Sequence, residues 1–183
     1  MSNMHHTARA TGPQSRDRTM QAANVTTQQD WRLRLVDESD IDVIGSHRER
    51  VFLEAGRAPA LVEQMRAPFR AWLQRQLEWG LYIGWFAERD GRVAGGVGVM
   101  EIDWPPHTHH PGQARRGYVL NVFVEHEFRG RGCATVLMLA AEAEMRQRGI
   151  EYATLHSTDS GRPLYDAMGW SATNEMAKRV GQA

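Results

Sequence analysis

The amino-acid sequence predicts a single α/β domain of the α+β type, in which helices cover a mixed sheet. Three observations favour this fold class. Strand-like and helical patterns alternate in the order β-α-α-β-β-β-α-β-α-β. Asp90-Gly91 is a tight hairpin signal between two strand-like segments. A third strand-like segment runs straight into a glycine-rich loop that opens a helix, and the length of 183 residues fits one domain.

The first part of the chain predicts one strand and two helices. Residues 31–36 alternate apolar and polar side chains, as a half-buried strand does. Ser39 is the expected N-cap of a helix that continues to about Glu54. A second helix is expected to begin near Pro68, because proline suits a first helical turn, and to end at Gly80.

The remaining elements follow from the hairpin onward. LYIGWFAE and RVAGGVGVMEIDW are the strands on either side of the hairpin, and YVLNVFVE is the most strand-like segment because Val, Phe and Tyr dominate it. A helix then runs to Gly149, followed by the strand EYATLH and a short helix that Gly169 ends. A last strand is expected between Trp170 and Val180.

Composition limits the classes of partner. Lys and Arg number 22 and Asp and Glu number 22, so the chain has no net basic field for nucleic acid. The single cysteine, Cys133, excludes an intramolecular disulfide and fits a reducing compartment, so we expect a cytoplasmic protein. No apolar run approaches the roughly 20 residues that span a bilayer, so no membrane partner is expected. Residues 1–29 are expected to be a disordered tail before a domain at 30–183.

The loop Arg129-Gly130-Arg131-Gly132 predicts an anion site. Its two glycines let backbone amides turn inward, and the helix that begins near Cys133 adds the positive end of its dipole. A phosphate or pyrophosphate suits such a site, whereas the alternative is a solvated connection between a strand and a helix. The string of a P-loop is absent, and Thr135 stands where a dinucleotide fingerprint needs its third glycine.

Two motifs together resemble a known family. Arg129, Gly132 and Ala134 spell Arg-x-x-Gly-x-Ala, which resembles the coenzyme A pyrophosphate loop of the GNAT superfamily, the Gcn5-related N-acetyltransferases. The segment TLHSTDSGRPLYDAMGW resembles the later β-α segment of that family, with Tyr165 at its recurring helix tyrosine. The resemblance covers about 150 residues from Trp31 onward and implies the GNAT fold.

The resemblance implies an N-acetyltransferase that moves the acetyl group of acetyl-CoA directly to a primary amine of a small molecule or peptide. The pantetheine arm would lie along the backbone of Val122 and Val124, and the loop amides would hold the pyrophosphate. The implied coenzyme-binding residues are Val122, Phe123, Val124, Arg129, Gly130, Arg131, Gly132, Cys133, Ala134, Ser157 and Tyr165.

The implied reaction needs proton transfers. An amine with a pKa near 10.4 is mostly protonated at pH 7, so the site must take up a proton. Tyr165 is the implied proton donor to the leaving thiolate, and an N–H near Val122 the donor to the carbonyl oxygen. The predicted catalytic residues are Tyr165, Asn121 and Glu101. The base stays open among Glu101, Asp103, Asn121 as a water holder, Glu125, His126 and His156.

Alternative functions remain open at this point. The chain could be an inactive CoA-binding sensor or partner module, or an acyltransferase for a longer acyl-CoA if Ala94, Gly95 and Gly96 line its pocket. A homodimer is possible, as in other members of the family. The histidines at 107–110 could bind zinc or nickel, line the pocket for the acceptor amine or lie in an exposed loop, and no metal is predicted.

Overall fold

The computed structural model describes residues 31–178 and residue 180, so the predicted tail at 1–29 lies outside the described residues. Its centre is a five-stranded sheet with the order β1-β2-β3-β4-β5. The first four strands pair antiparallel, and β5 pairs parallel with β4, which confirms the mixed sheet. The strands are β1 Arg32–Leu35, β2 Tyr82–Arg89, β3 Arg92–Asp103, β4 Arg115–Val124 and β5 Ala153–Leu155.

Helices cover both faces of this sheet. Alternation along a strand sends Val119 into the core under α3, whereas its neighbour Leu120 packs with the cluster under α1 and α2. Leu137 of α3 and Leu73 of α2 are both fully buried. None of the described helices is long and apolar enough to cross a membrane. The helices are α1 Ile41–Glu54, α2 Pro59–Glu78, α3 Cys133–Gln147 and α4 Arg162–Ala167.

The predicted starts of the first two helices were wrong. Asp37, not Ser39, is the cap: its carboxylate accepts hydrogen bonds from the amide and the hydroxyl of Ser39, and a short 3-10 turn then leads into α1. Helix α2 begins at Pro59, and Pro68 lies inside it. Proline lacks the amide that would bond the preceding turn, but buried side chains before and after Pro68 keep the helix continuous.

The last predicted strand was also wrong. No strand forms among the described residues after 170, and residues 171–178 are all exposed. Their sequence, SATNEMAK, holds one large apolar side chain, Met176, which is 95% exposed. A strand of this composition would have no apolar face, so packing on the core would neither stabilise it nor fix its register. The outer edge of β5 is therefore unpaired among the described residues.

Local signals elsewhere are confirmed. Asp90 and Gly91 have φ values of 52° and 72°, the left-handed pair that a two-residue hairpin requires. Helix α3 begins at Cys133 and stops before Gly149, whose φ of 66° is typical of the residue that follows a helix.

Candidate active site

Strands β4 and β5, the last two strands of the sheet, part after a short stretch of pairing. Their pairing runs only from Gly117 with Ala153 to Val119 with Leu155. Directly beyond it, the register of β3 and β4 shifts, so that Asn121 and Val122 together face one residue of β3. Asn121 takes a left-handed conformation with a φ of 55°. This is a β-bulge, which bends β4 away from β5 at that point.

The parted strands open onto a cleft of about 440 Å³. This volume lies within the range of roughly 300 to 1,000 Å³ that is usual for small-molecule sites. The cleft is also lined by His156 after β5, one of the bases that the sequence left open, and by Glu54 of α1, which the sequence did not single out. The predicted site residues that line it are Asn121, Val122, Phe123, Val124, Arg129, Gly130, Gly132, Cys133, Ala134 and Tyr165.

Three predicted residues lie outside this lining. Glu101 forms an ion pair of 2.9 Å with Arg115 near the far end of β3, so the structure does not bring it to the cleft. Ser157 is exposed and lines a neighbouring cleft beside β5. Arg131 belongs to the loop and is exposed, and its carbonyl oxygen accepts a hydrogen bond from the indole of Trp31 at 3.2 Å.

The glycine-rich loop presents an open helix end to the cleft. Gly130 and Gly132 have φ values of 71° and 79°, and no atom lies within 4 Å of where their Cβ atoms would be. Glycine is therefore needed for the turn and not for close packing. Helix α3 follows with no side-chain cap and no acidic residue in its first turn. Its first amides are thus free to bind an anion, and the helix dipole favours one.

Arg129 braces the loop. Its Nε donates to the carbonyl of Val124 at 2.9 Å, and one terminal nitrogen donates to both carboxylate oxygens of Glu54 at 2.9 and 2.7 Å. The side chain therefore ties β4 to the end of α1 at the mouth of the cleft. Its guanidinium is therefore already engaged with protein groups.

The amide of Asn121 is engaged on both sides. Its oxygen accepts from Arg48 at 2.7 Å, and its nitrogen donates to the hydroxyl of Tyr82 at 3.2 Å. Arg48 lies over the rings of Phe52 and Phe69, and its buried Nε has no partner among the described residues. Burial lowers the pKa of this guanidinium, although the two nearby tyrosines raise it. Asn121 therefore fixes the bulge to α1.

Tyr165 and Cys133 face the cleft as uncharged groups. Tyr165 is 8% exposed, and its hydroxyl makes no hydrogen bond to any other described residue. Burial raises the pKa of Tyr165, so the phenol keeps its proton. Burial also raises the pKa of Cys133 to about 12, so this thiol is not a nucleophile at neutral pH.

The small residues of β3 do not open an acyl pocket. A Cβ at Gly96 would lie 2.8 Å from the ring of Phe86, and one at Gly95 would meet the carbonyl of Phe123. Ala94 is fully buried in the core under α3. None of the three lines either cleft, so the prediction that they give room for a longer acyl group loses its basis.

The histidine segment forms a stack of rings at the end of the sheet. His110 is buried and its Nδ1 lies 3.0 Å from the carbonyl of Gln113, whereas His107 and His109 are exposed. The rings of His109 and His110 stack on Tyr152. Within the described residues, no three His, Cys, Asp or Glu side chains are grouped in a way that could hold a metal ion.

Two functional features were missed by sequence reasoning, the Glu54 brace and the Arg48 anchor of the bulge. Their partners are 75 and 73 residues away along the chain. No local pattern marks either residue, since Glu54 and Arg48 read as ordinary polar positions of an amphipathic helix.

Comparisons with known proteins agree with this geometry. Residues 49–170 match the family model of the acetyltransferase (GNAT) family. A GCN5-related N-acetyltransferase from Ralstonia eutropha JMP134 is 45% identical with a TM-score of 0.80, over 82% of this chain and 98% of that chain. A predicted acetyltransferase from Clostridium acetobutylicum, solved with acetyl-CoA, is 26% identical with a TM-score of 0.74, over 82% and 96% of the two chains.

More distant matches show the fold alone. An aminoglycoside N-acetyltransferase in complex with CoA is 14% identical with a TM-score of 0.64, over 87% of this chain and 99% of that chain. The search of curated proteins finds no match. Because the family model covers more than half of the chain and the 45% identical structure is matched over nearly its whole length, the chain belongs to the GNAT family and is an acetyl-CoA-dependent N-acetyltransferase.

Proposed function

We propose that this acetyltransferase binds acetyl-CoA in the cleft between β4 and β5 and acetylates a primary amine of a small molecule or peptide. The observation that carries the proposal is the parting of the two strands at the Asn121 bulge, directly before a glycine loop and an uncapped helix end. An extended arm and an anionic group thus find complementary surfaces in one continuous cleft.

The extended part of the coenzyme would add to β4 as a strand adds to a sheet edge. Beyond Val119, no pairing of β4 with β5 is found among the described residues. Backbone groups of Val122 and Val124 are therefore available to bond the pantetheine amides, as in other cases of strand addition. Phe123, between them, is buried and supports this stretch from the other face.

The pyrophosphate would lie on the amides from Gly130 to Ala134, since the amide of Arg129 already donates to the carbonyl of His126 at 3.3 Å. Negative charge at a helix N-terminus is stabilised by the free N–H groups and the dipole. Arg131 is exposed and makes no ion pair with a described residue, so its guanidinium is available to the phosphates. Arg129 holds the same loop in place through its ion pair with Glu54.

Two groups would handle the charge that develops in the reaction. The amide of Val122, at the bulge, would donate to the carbonyl oxygen as the amine attacks. Tyr165 would donate to the sulfur as the C–S bond breaks. The raised pKa of Tyr165 makes complete proton transfer harder, but the same burial favours the neutral thiol.

A pair of single substitutions in α3 tests the binding site. Thr135 lines the cleft at the third helical position, where an acidic side chain favours the helix but repels an anion. We expect Thr135→Glu to weaken acetyl-CoA binding by about tenfold or more in calorimetric titration. Leu139→Glu, four residues along the same helix and exposed, is the matched control and should bind like the wild type. Equal binding by both variants would overturn the assignment of the cleft.

The acceptor amine is identified by release of CoA in the presence of an amine panel. Propylamine, lysine, spermidine, an aminoglycoside and a peptide with a free N-terminus cover the small-molecule and peptide classes. We expect acetylation of at least one of them, with the product confirmed by its mass. A folded protein that binds acetyl-CoA and acetylates none of them supports the inactive sensor module instead.

We also propose a homodimer in the cytoplasm. The unpaired outer edge of β5, beside a second cleft of about 660 Å³, supports self-association, because free strand edges are surfaces for pairing. The single, buried cysteine suits a reducing compartment. Light scattering of the purified chain should give the mass of two chains, and a monomer at all concentrations would exclude this assembly.

A further inference from the structure

A tyrosine, a histidine and a glutamate form a connected row beside the cleft. The hydroxyl of Tyr118 is hydrogen-bonded to Nδ1 of His156, and the two rings meet edge to face at 5.7 Å. On the other side of the imidazole, Nε2 lies 3.7 Å from the carboxylate of Glu175. The imidazole therefore lies between a phenol and a carboxylate.

This row lies where the two strands part. Tyr118 of β4 pairs with Thr154 of β5, next to the last pair before the strands part. His156 is the first residue after β5. His156 lines the cleft together with Asn121 and Tyr165. Val119, the neighbour of Tyr118, packs under α3, so alternation along β4 directs Tyr118 to the opposite face of the sheet.

We propose that Tyr118 and His156 form the relay that removes the proton from the acceptor amine, with Glu175 stabilising the protonated imidazole. This proposal rests on the proposed function. The amine nitrogen forms the C–N bond to the thioester carbon, its proton passes to the oxygen of Tyr118, and the hydroxyl proton of Tyr118 passes to Nδ1 of His156. The C–S bond then breaks and the sulfur takes a proton from Tyr165. His156, which is exposed, passes its proton to water, and Tyr165 takes a proton back from water, so that both groups return to their starting states.

The charges around Tyr118 fit a group that passes a proton on. Burial raises the pKa of Tyr118, and Glu175 raises it further, while Arg48 of α1 lowers it. Tyr118 is therefore a neutral phenol at physiological pH and is not a base by itself. It needs a second group behind it, and the imidazole of His156 is in hydrogen-bonding contact with it.

The other candidate bases are engaged elsewhere or lie away from the cleft. Glu101 is paired with Arg115, and both nitrogen and oxygen of the Asn121 amide are bonded to protein groups. Glu125 accepts from Arg50 at 2.7 Å through both of its oxygens. Of the bases that the sequence left open, His156 and Asn121 alone line the cleft among the described residues.

The relay is tested with Tyr118→Phe and His156→Asn against the matched control His126→Asn, an exposed histidine that does not line the cleft. Each variant is first checked for folding by circular dichroism and for acetyl-CoA binding by calorimetry. In every variant, the spectrum and the affinity should be close to those of the wild type. With the amine of the panel that reacts best, we expect kcat to fall about 10²-fold or more in the two relay variants and not in the control. Glu175→Gln should give a smaller loss.

Hydroxylamine distinguishes a proton relay from a structural role. It is neutral at pH 7.5 and needs little help to lose its proton, so the relay variants should lose no more than about tenfold with it, after subtraction of the uncatalysed reaction. The acid limb of the wild-type kcat/KM profile should also change in His156→Asn. In the coenzyme-free protein, imidazole ¹⁵N NMR should show that the neutral ring of His156 carries its proton on Nε2 and not on Nδ1. Tyr118→Phe should weaken this preference for one tautomer.

The outcomes distinguish a failure of the relay alone from a failure of the proposed function. If the wild type acetylates an amine and both relay variants keep kcat within about twofold, the relay is wrong while the acetyltransferase stands. If His156→Asn instead weakens acetyl-CoA binding and leaves kcat unchanged, His156 is a binding residue and the relay is also wrong. If the wild type binds acetyl-CoA but acetylates no amine, the proposed acceptor chemistry fails and the relay fails with it.

Discussion

The Nε2 atom of His47 in α1 lies 3.5 Å from a carboxylate oxygen of Glu125, and the side chain of His47 is buried. The ring of Phe123 packs against the imidazole at a centroid distance of 4.7 Å. Burial lowers the pKa of His47 to about 4, a shift that Glu125 opposes and Arg50 reinforces. The histidine that packs against β4 is thus neutral despite its acidic neighbour.

This relationship predicts that stability falls in mild acid. The unfolded chain takes up the proton near the ordinary histidine pKa of 6.5, whereas folded His47 resists protonation until about pH 4. The unfolded state therefore binds more protons in this window, and stability decreases as pH falls through it. Between pH 7.5 and 5.0 we expect a loss of about 2 kcal/mol from this group, measured by urea denaturation.

The control for this effect is a second histidine. His47→Gln should reduce the difference between the two pH values by most of that amount, whereas His109→Gln, at an exposed position, should leave it unchanged. A wild-type protein equally stable at both pH values would mean that folding does not lower the pKa of His47, and a protein more stable at pH 5.0 would mean that Glu125 holds the imidazole protonated.

The ion pair of Arg129 with Glu54 predicts opposite effects of its two partners on coenzyme binding. Both side chains are about 40% exposed or more, so the pair itself adds less than about 1 kcal/mol to stability. Arg129→Gln leaves the Glu54 carboxylate uncompensated at the mouth of the cleft, and we expect acetyl-CoA to bind about tenfold more weakly. Glu54→Gln removes negative charge and should bind at least as tightly as the wild type.

A double-mutant cycle checks this reasoning. The Arg129→Gln, Glu54→Gln variant should recover part of the lost affinity, because the repulsive carboxylate is gone. Calorimetric titration at two salt concentrations is the measurement, since screening weakens a charge effect. If the double variant binds no better than Arg129→Gln, the arginine acts on the loop through its bond to Val124 and not through charge.

The bulge at Asn121 predicts the order in which substitutions at this position lower the stability of the fold. Its φ of 55° is accessible to glycine but costs a β-branched residue roughly 1–2 kcal/mol. Asn121→Val also leaves the Arg48 guanidinium without its only hydrogen-bond acceptor among the described residues. We expect Asn121→Val to be the less stable variant in urea denaturation, with Asn121→Gly between it and the wild type. Equal stability of the two would show that the backbone conformation carries no strain.

Much of the site follows from local sequence signals, because its parts are local structures. The strand YVLNVFVE, the glycine turn and the start of α3 are contiguous, so composition and spacing predict them together. The hairpin at Asp90-Gly91 is predicted for the same reason, since two adjacent left-handed residues define it.

Other features depend on which elements meet in space. Proline suits a first helical turn at either of two positions, and only the packing of α2 onto α1 and the sheet distinguishes Pro59 from Pro68. The row of Tyr118 and His156 joins residues 38 apart through parallel strand pairing. The bulge itself comes from a register shift between β3 and β4, which no pattern within β4 encodes.

Cys133 is expected not to form a covalent acyl-enzyme, although it is a cysteine in the cleft of an acyltransferase. Cys133 is 2% exposed, and burial raises the pKa of its thiol to about 12, so at pH 8 roughly one thiol in ten thousand is a thiolate. We expect a thiol reagent such as DTNB to react far more slowly with the native protein than with the protein in urea. Cys133→Ala should keep kcat within about threefold, since direct attack by the amine needs no cysteine. Loss of turnover in Cys133→Ala with unchanged acetyl-CoA binding, or a burst of CoA release without amine, would instead establish acetylation of Cys133 as a step of the reaction.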